Sequence, residues 1–289
     1  MSNGIQERQN EEKSITKLAA QRQLYYNAGI LDAFNFVLSV IVPLILSVLQ
    51  GVFPQWSTAK SVTYVLSISM IFLSLALAEV INKDKKLAAL IQQDFDTYVF
   101  TMPWDDKLFD KKINHSAEIA EYSAKILKNE SKRGKLINWY TVGVDNLPLD
   151  EGIRSCQKES VNWDAGLRKR YRNISLIGII IICAIIFAIG IANNESMDIL
   201  LMRFAFIAPM LRWLVALCKD LDKDIKTLGE LSGKLNANRV YDMEDLKYIQ
   251  KDILMHRSEA VKVPDFIYLL FQKRDEDKEQ RIVEMDSKK

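Results

Sequence analysis

Asn173–Asn194 runs for 22 residues without a charge, and ten of those residues are isoleucine. As a helix it would be about 33 Å long, against about 30 Å for a bilayer core. A soluble core helix of that length keeps a polar stripe toward water, and Ile177–Ile191 has none. The segment therefore belongs in lipid. Ala33–Phe53 gives 21 more uncharged residues and Ser61–Ala78 gives 18. A fourth block, Ile199–Cys218, is interrupted by Arg203, Pro209 and Arg212, with only Phe204–Leu211 uncharged between the arginines. It still reads as a span, because each arginine lies toward one end and can snorkel to headgroups. The flanking charges also demand an even number of spans.

Those charges alternate. Arg8, Lys13, Lys17 and Arg22 precede the first block, and only Lys60 lies between the first and second. Lys83, Lys85 and Lys86 follow the second, and Arg168, Lys169, Arg170 and Arg172 crowd the start of the third. The turn Asn193–Asp198 holds no Lys or Arg, and Lys219, Lys223 and Lys226 follow the fourth block. Both termini and the long middle segment are thus expected in the cytoplasm, with Gln50–Lys60 and Asn193–Asp198 facing outward. The first apolar block comes too late and is too long for the core of a signal peptide. The expected fold is an all-α membrane protein, with four transmembrane helices and a helical cytosolic region built from the middle segment and the C-terminal helices. Its expected parts are an N-terminal helix (1–30), spans one and two (31–81), a cytosolic helical segment (82–173), spans three and four (174–218), C-terminal helices (219–271) and a charged tail (272–289).

Within the cytosolic parts, Leu87, Leu90, Ile91 and Phe95 mark a helix over Lys83–Phe100. Asp105 is expected to cap a second helix running to about Asn129. Residues 131–148, with Gly134, Gly143 and Pro148, read as a loop, and Glu151–Tyr171 as a helix entering the third span. Leu214, Leu217, Leu221, Ile225, Leu228, Leu231 and Leu235 form a coiled-coil-like seam that packs on the middle segment or on a neighbouring subunit. A further helix is expected over Met243–Arg257, and Pro264 then precedes the apolar run Phe266–Phe271.

Residues with a chemical role are scarce. Lys+Arg total 39 and Asp+Glu 37, which argues against binding a DNA or RNA polymer. Two histidines, His115 and His256, lie far apart and read as surface or capping residues. Cys156 reads as a core thiol, and Cys183 and Cys218 lie in or at the end of spans, so no disulfide is expected. Asp105-Asp106 is explained by a helix N-terminus. No phosphate-binding, dinucleotide-binding or nucleophile-elbow motif is present. Enzymatic activity is disfavoured, and no cofactor or metal is expected.

The spans carry polar positions. Thr63, Ser67 and Ser74 share one helix face, and Asn35, Ser39 and Ser47 form a looser stripe around Pro43. Both patterns suit helix packing or a water-lined path. Arg203 and Arg212 are nine residues apart, roughly half a turn out of phase, so they face one side only if Pro209 bends the helix. Arg203, Pro209, Arg212, Thr63, Ser67 and Ser74 are the candidate pore or gate residues.

Four stretches then carry a resemblance. The first is Gln9-Asn10-Glu11 with Leu18–Tyr25, including Gln21, Arg22 and Tyr25. The second is Met102-Pro103-Trp104-Asp105. The third is Cys156–Asp164, including Asn162, Trp163 and Asp164, with Leu167-Arg168 and Tyr171. The fourth is His256-Arg257 with Val263–Tyr268, including Pro264, Asp265 and Tyr268. In this order they resemble the SMODS-associated four-transmembrane effector family of bacterial anti-phage systems. Ser160 stands where that pattern has Asn, and Lys262 where it has an apolar residue. The resemblance implies a multi-pass inner-membrane, pore-forming effector encoded beside a cyclic-oligonucleotide synthase, which permeabilises the membrane of an infected cell. The implied partners are the lipid bilayer, further copies of the chain, and a cyclic oligonucleotide or its synthase. A non-conducting four-span scaffold or sensor, signalling through its cytosolic helices, is the alternative.

Overall fold

The computed structural model describes residues 2–46, 57–268 and 270, without the side chains of residues 57–64 and 67. The charged tail 272–289, the end of the first apolar block with Ser47, part of the loop Gln50–Lys60, and the side chains of Thr63 and Ser67 lie outside the described residues. Among the described residues every regular element is helical. The helices are α1 (Ile5–Gln9), α2 (Glu12–Leu46), α3 (Ser57–Val99), α4 (Ser116–Leu127), α5 (Glu130–Gly134), α6 (Leu149–Ala192), α7 (Met197–Leu235) and α8 (Met243–Glu259). A π-helical turn at Val37–Ile41 lies within α2. There the N–H of Val42 bonds back to the carbonyl of Val37, one residue further than in an α-helix. Pro43 explains the site, since it offers no N–H to the preceding turn.

The chain divides into two units, and four long helices contribute to both. The first unit comprises Met1–Gly29, Asn82–Arg168 and Asp224–Lys289. Its core joins one stripe from each of several helices. Ile15, Leu18 and Ala19 come from α2, Phe95 and Val99 from α3, Ile153, Cys156 and Val161 from α6, Leu228, Leu231 and Leu235 from α7, and Leu246, Ile249 and Ile253 from α8. A fully buried Leu or Ile stabilises the fold by about 1.5–3 kcal/mol, so the three α7 leucines are substantial anchors. The leucine seam is thus buried within its own chain along Leu228–Leu235 and presents no free face to another subunit there. Helix α8 opens with a capping box, in which the Asp242 side chain accepts from Asp245 N at 2.8 Å.

Two sequence expectations fail in this unit. No helix starts at Asp105. Its carboxylate accepts from Lys107 N at 2.9 Å in a compact turn, Trp104 Nε1 donates to the Asp110 carbonyl at 3.0 Å, and α4 begins only at Ser116. Asp110 at φ 63° sits in the left-handed region, which stops the helix from propagating. Residues 131–148 are also more ordered than a loop. Asn129 caps α5 through Lys132 N at 3.0 Å, and Val142–Asn146 forms a 3-10 turn. The N-terminus docks on that turn, with Asn3 Nδ2 donating to the Val144 carbonyl at 2.7 Å.

The second unit comprises Ile30–Ile81 and Lys169–Lys223. Ile177, Ile180, Ile185, Ile191 and Leu201 are exposed on it, and nothing in the most apolar window of α7 is buried. Such a surface is costly in water and neutral in lipid. Helices α2, α6 and α7 are each long and apolar enough to cross a membrane. Phe187 and Phe204 meet at 5.2 Å between ring centres, and Phe36 and Trp213 at 4.4 Å.

Candidate functional site

The first unit holds a buried polar network on Asp96, whose side chain is fully buried. Arg257 Nη1 approaches Asp96 Oδ2 at 2.5 Å, Gln250 Nε2 donates to the same oxygen at 2.9 Å, and the Tyr140 hydroxyl donates to Oδ1 at 2.7 Å. Gln250 also receives a bond from Gln157 Nε2 at 3.0 Å. A buried carboxylate is tolerated only with such a set of partners. Burial and the adjacent Asp96 charge push the Tyr140 phenol well above its ordinary range, so it stays a donor. Asp96 and Gln92 lie four residues apart on α3, in a stretch that also buries Gln93 and Thr97.

A second cluster centres on Arg168, near the end of the α6 portion in this unit. Its Nε lies 3.1 Å from Asp164 Oδ1, and its Nη1 donates to Asp224 Oδ2 and to the Val261 carbonyl, each at 2.7 Å. Val261 N donates to Asp224 Oδ2 at 2.9 Å. The segment after α8 is therefore strapped to α6 and α7 together. His256 Nε2 lies 2.8 Å from Asp164 Oδ2. Burial by itself would raise the Asp164 carboxyl, but the Arg168 guanidinium and the His256 hydrogen bond outweigh it and hold the group well below the ordinary carboxylate range. Desolvation would lower Arg257, yet the Asp96 charge keeps it firmly protonated.

These two clusters border one cavity of about 280 Å³. Of the residues singled out in the sequence, Tyr25, Trp163, Asp164, Arg168, His256, Arg257, Asp265 and Tyr268 line it. Gln21, Arg22, Pro103, Trp104, Asn162 and Pro264 do not. Gln21 is buried in α2, Trp104 closes the 101–110 turn, and Asn162 faces Ser232 at 3.5 Å. His256 is neither a surface nor a capping residue, because it is buried against Asp164. Cys156 is a fully buried core thiol, pushed up by desolvation. Sequence reasoning missed Asp96, Tyr140, Gln250 and Asp224. Asp96, Gln250 and Asp224 signalled themselves only as polar residues on helices, and Tyr140 lies outside any helix.

The chain matches the family model of the SMODS-associating 4TM effector domain over residues 3–285. It belongs to that family. No curated protein and no solved structure matches it. Membership makes the chain a membrane effector linked to a cyclic-oligonucleotide synthase system, with a four-span membrane domain. The family is not a known catalytic one. Among the described residues, no group of three or more His, Cys, Asp or Glu is placed to hold a metal ion.

In the membrane unit of this effector, the candidate gate residues occupy different surroundings. Arg203 is paired with Glu195 of the α6–α7 turn, through Nε at 2.8 Å and a second contact from Nη2. That turn is tight: Asn194 has φ 49°, and a Cβ on Gly190 would meet Leu200 Cδ1 at 2.9 Å. Arg212 is exposed. Pro209 lies inside continuous α7, where it denies the Ala205 carbonyl its helical partner. Ser74 is half-buried on α3, and Ser39 Oγ donates back to the Asn35 carbonyl at 2.6 Å.

Proposed function

We propose that this effector, once activated by a cyclic oligonucleotide, assembles as a homo-oligomer and permeabilises the bacterial inner membrane, with both termini and the first unit in the cytoplasm. The observation that carries the reading is Arg212. A guanidinium facing lipid costs about 2.5–3.5 kcal/mol at mid-bilayer. Arg212 lies about 9 Å inside the inner end of its apolar block at Cys218, and it is exposed on a helix whose apolar window is unburied in the single chain. Arg203 has its own carboxylate, whereas in this reading a neighbouring copy supplies the surroundings of Arg212. Four spans are too few to enclose a conducting path alone, so packing of copies supplies both the path and a hydrated setting for Arg212. Pro209, three residues away, gives α7 a weak point in its hydrogen-bond ladder at which to bend. By their spacing in the sequence, Thr63, Ser67 and Ser74 offer a hydroxylated face for the same path. The Leu228–Leu235 seam is already spent within the chain, so the association runs through the membrane helices.

The test is dye release from vesicles containing the wild-type protein or Arg212→Leu, with 3′,3′-cyclic di-AMP, 3′,3′-cyclic GMP–AMP or cyclic tri-AMP added. The wild type is expected to leak on addition of one of these, and the variant to insert equally but leak less or with altered ion preference. Unchanged leakage in the variant leaves Arg212 as a headgroup anchor. No leakage from the wild type with any of them returns the chain to a non-conducting scaffold.

A further inference from the structure

We infer that the cavity of the first unit is the ligand site, and that it takes a phosphodiester bearing a flat aromatic base, with Lys262 as the anion contact. The inference rests on the reading above that a nucleotide activates the chain. The volume, about 280 Å³, sits near the lower end of small-molecule sites at roughly 300 Å³. It suits one base with its phosphate better than a bare anion. Tyr25, Trp139, Trp163 and Tyr268 give the lining aromatic faces, with Trp163 and Tyr268 6.0 Å apart between ring centres. Bases stack on such faces with little regard to sequence.

The charge pattern selects among the cations of the wall. Arg168 and Arg257 are held by Asp224, Asp164 and Asp96, carboxylates that are largely buried, and Lys85, itself buried in the wall, donates to the Glu259 carbonyl at 3.1 Å. Lys262 differs. Its ammonium lies 3.0 Å from Asp265, whose side chain is half exposed. A pair of that kind is worth under about 1 kcal/mol, so a phosphodiester can replace the carboxylate. Lys262 is also deliberately seated. Its stem crosses α2 at Gly29, where an added Cβ would lie 3.2 Å from Lys262 Cε, and its ammonium is steered by the Val263 carbonyl at 3.1 Å. Lys262 follows Val261, the residue strapped to both Arg168 of α6 and Asp224 of α7. A ligand drawing on Lys262 therefore loads the tie between the two helices that continue as the third and fourth apolar segments.

The experiment uses full-length protein in phosphatidylcholine nanodiscs, where no anionic headgroup is present. Binding of 3′,3′-cyclic di-AMP, 3′,3′-cyclic GMP–AMP, cyclic tri-AMP and inorganic phosphate is measured by calorimetry. One of the cyclic nucleotides is expected to bind and phosphate is not. Lys262→Gln should weaken that binding about tenfold, the loss of one charge-assisted bond. Asp265→Asn should tighten it about threefold by removing the competing carboxylate, a gain that misfolding cannot mimic. Binding that ignores both substitutions, that phosphate reproduces, that appears only with phosphatidylglycerol present, or that is absent overturns the site. Dye release separates the two readings. Nucleotide-triggered leakage unaffected by both variants sinks this site and leaves the effector function standing, and substitution-sensitive binding without leakage does the reverse.

Discussion

Removing the arginine from the Asp96–Arg257 pair tests whether the first unit is organised around a buried charge. The Asp96 side chain is fully buried and that of Arg257 only 12% exposed, so solvent screens the pair little. Arg257→Met leaves the carboxylate with Tyr140 and Gln250 as donors and no countercharge. Breaking a buried pair this way costs about 3–5 kcal/mol. For a unit of this size each kcal/mol moves the melting temperature by roughly 2–4 °C, so a fall of roughly 6–20 °C is expected. The double variant Asp96→Asn, Arg257→Met removes the stranded charge. It should recover a good part of that loss, giving a coupling of about 2 kcal/mol. The measurement is thermal unfolding in mild detergent, followed by far-ultraviolet circular dichroism and tryptophan fluorescence. A shift below about 2 °C for Arg257→Met, or strict additivity in the double variant, would refute the premise that the pair is buried and interdependent.

Three further outcomes follow from particular contacts. Asp164 is held low when folded, so its contribution is present above the unfolded carboxylate value near 4 and is lost as pH falls through the lower folded value; Asp164→Asn should therefore destabilise at neutral pH and flatten the acid limb of stability against pH. Gly152→Ala places a Cβ 2.6 Å from Asn3 Nδ2 and 3.3 Å from the Val144 carbonyl. It should cost about 1–3 kcal/mol and expose the N-terminus to limited proteolysis, whereas unchanged cleavage would show that α6 yields there. For orientation, an impermeant maleimide should label a cysteine at Asn194 in intact cells and not one at Asn129, and the reverse pattern would invert the topology.

The membrane character was legible because lipid imposes a local demand. About twenty consecutive apolar residues suffice, whatever they pack against, and Asn173–Asn194 meets that demand by itself. Helix periodicity is equally local, so 151–171 read correctly as a helix continuing into the third apolar block. The leucine seam showed that α7 buries a stripe, while its partner in the first unit's core, including Ile249 and Ile253, emerged only on folding. The motifs named Asp164, Arg168, His256 and Arg257, but the pairing of the polar centre was hidden. Arg257 meets Asp96 across 161 residues, His256 meets Asp164 across 92, and Arg168 meets Asp224 across 56. No spacing rule links residues so far apart, and a lone Asp, His or Arg on a helix looks like solvated surface until tertiary packing removes the solvent. Lipid solvation acts on one segment at a time and can be read from that segment. Burial of a charge is a property of the helices around it, and it came into view only when α3, α6, α7 and α8 were packed together.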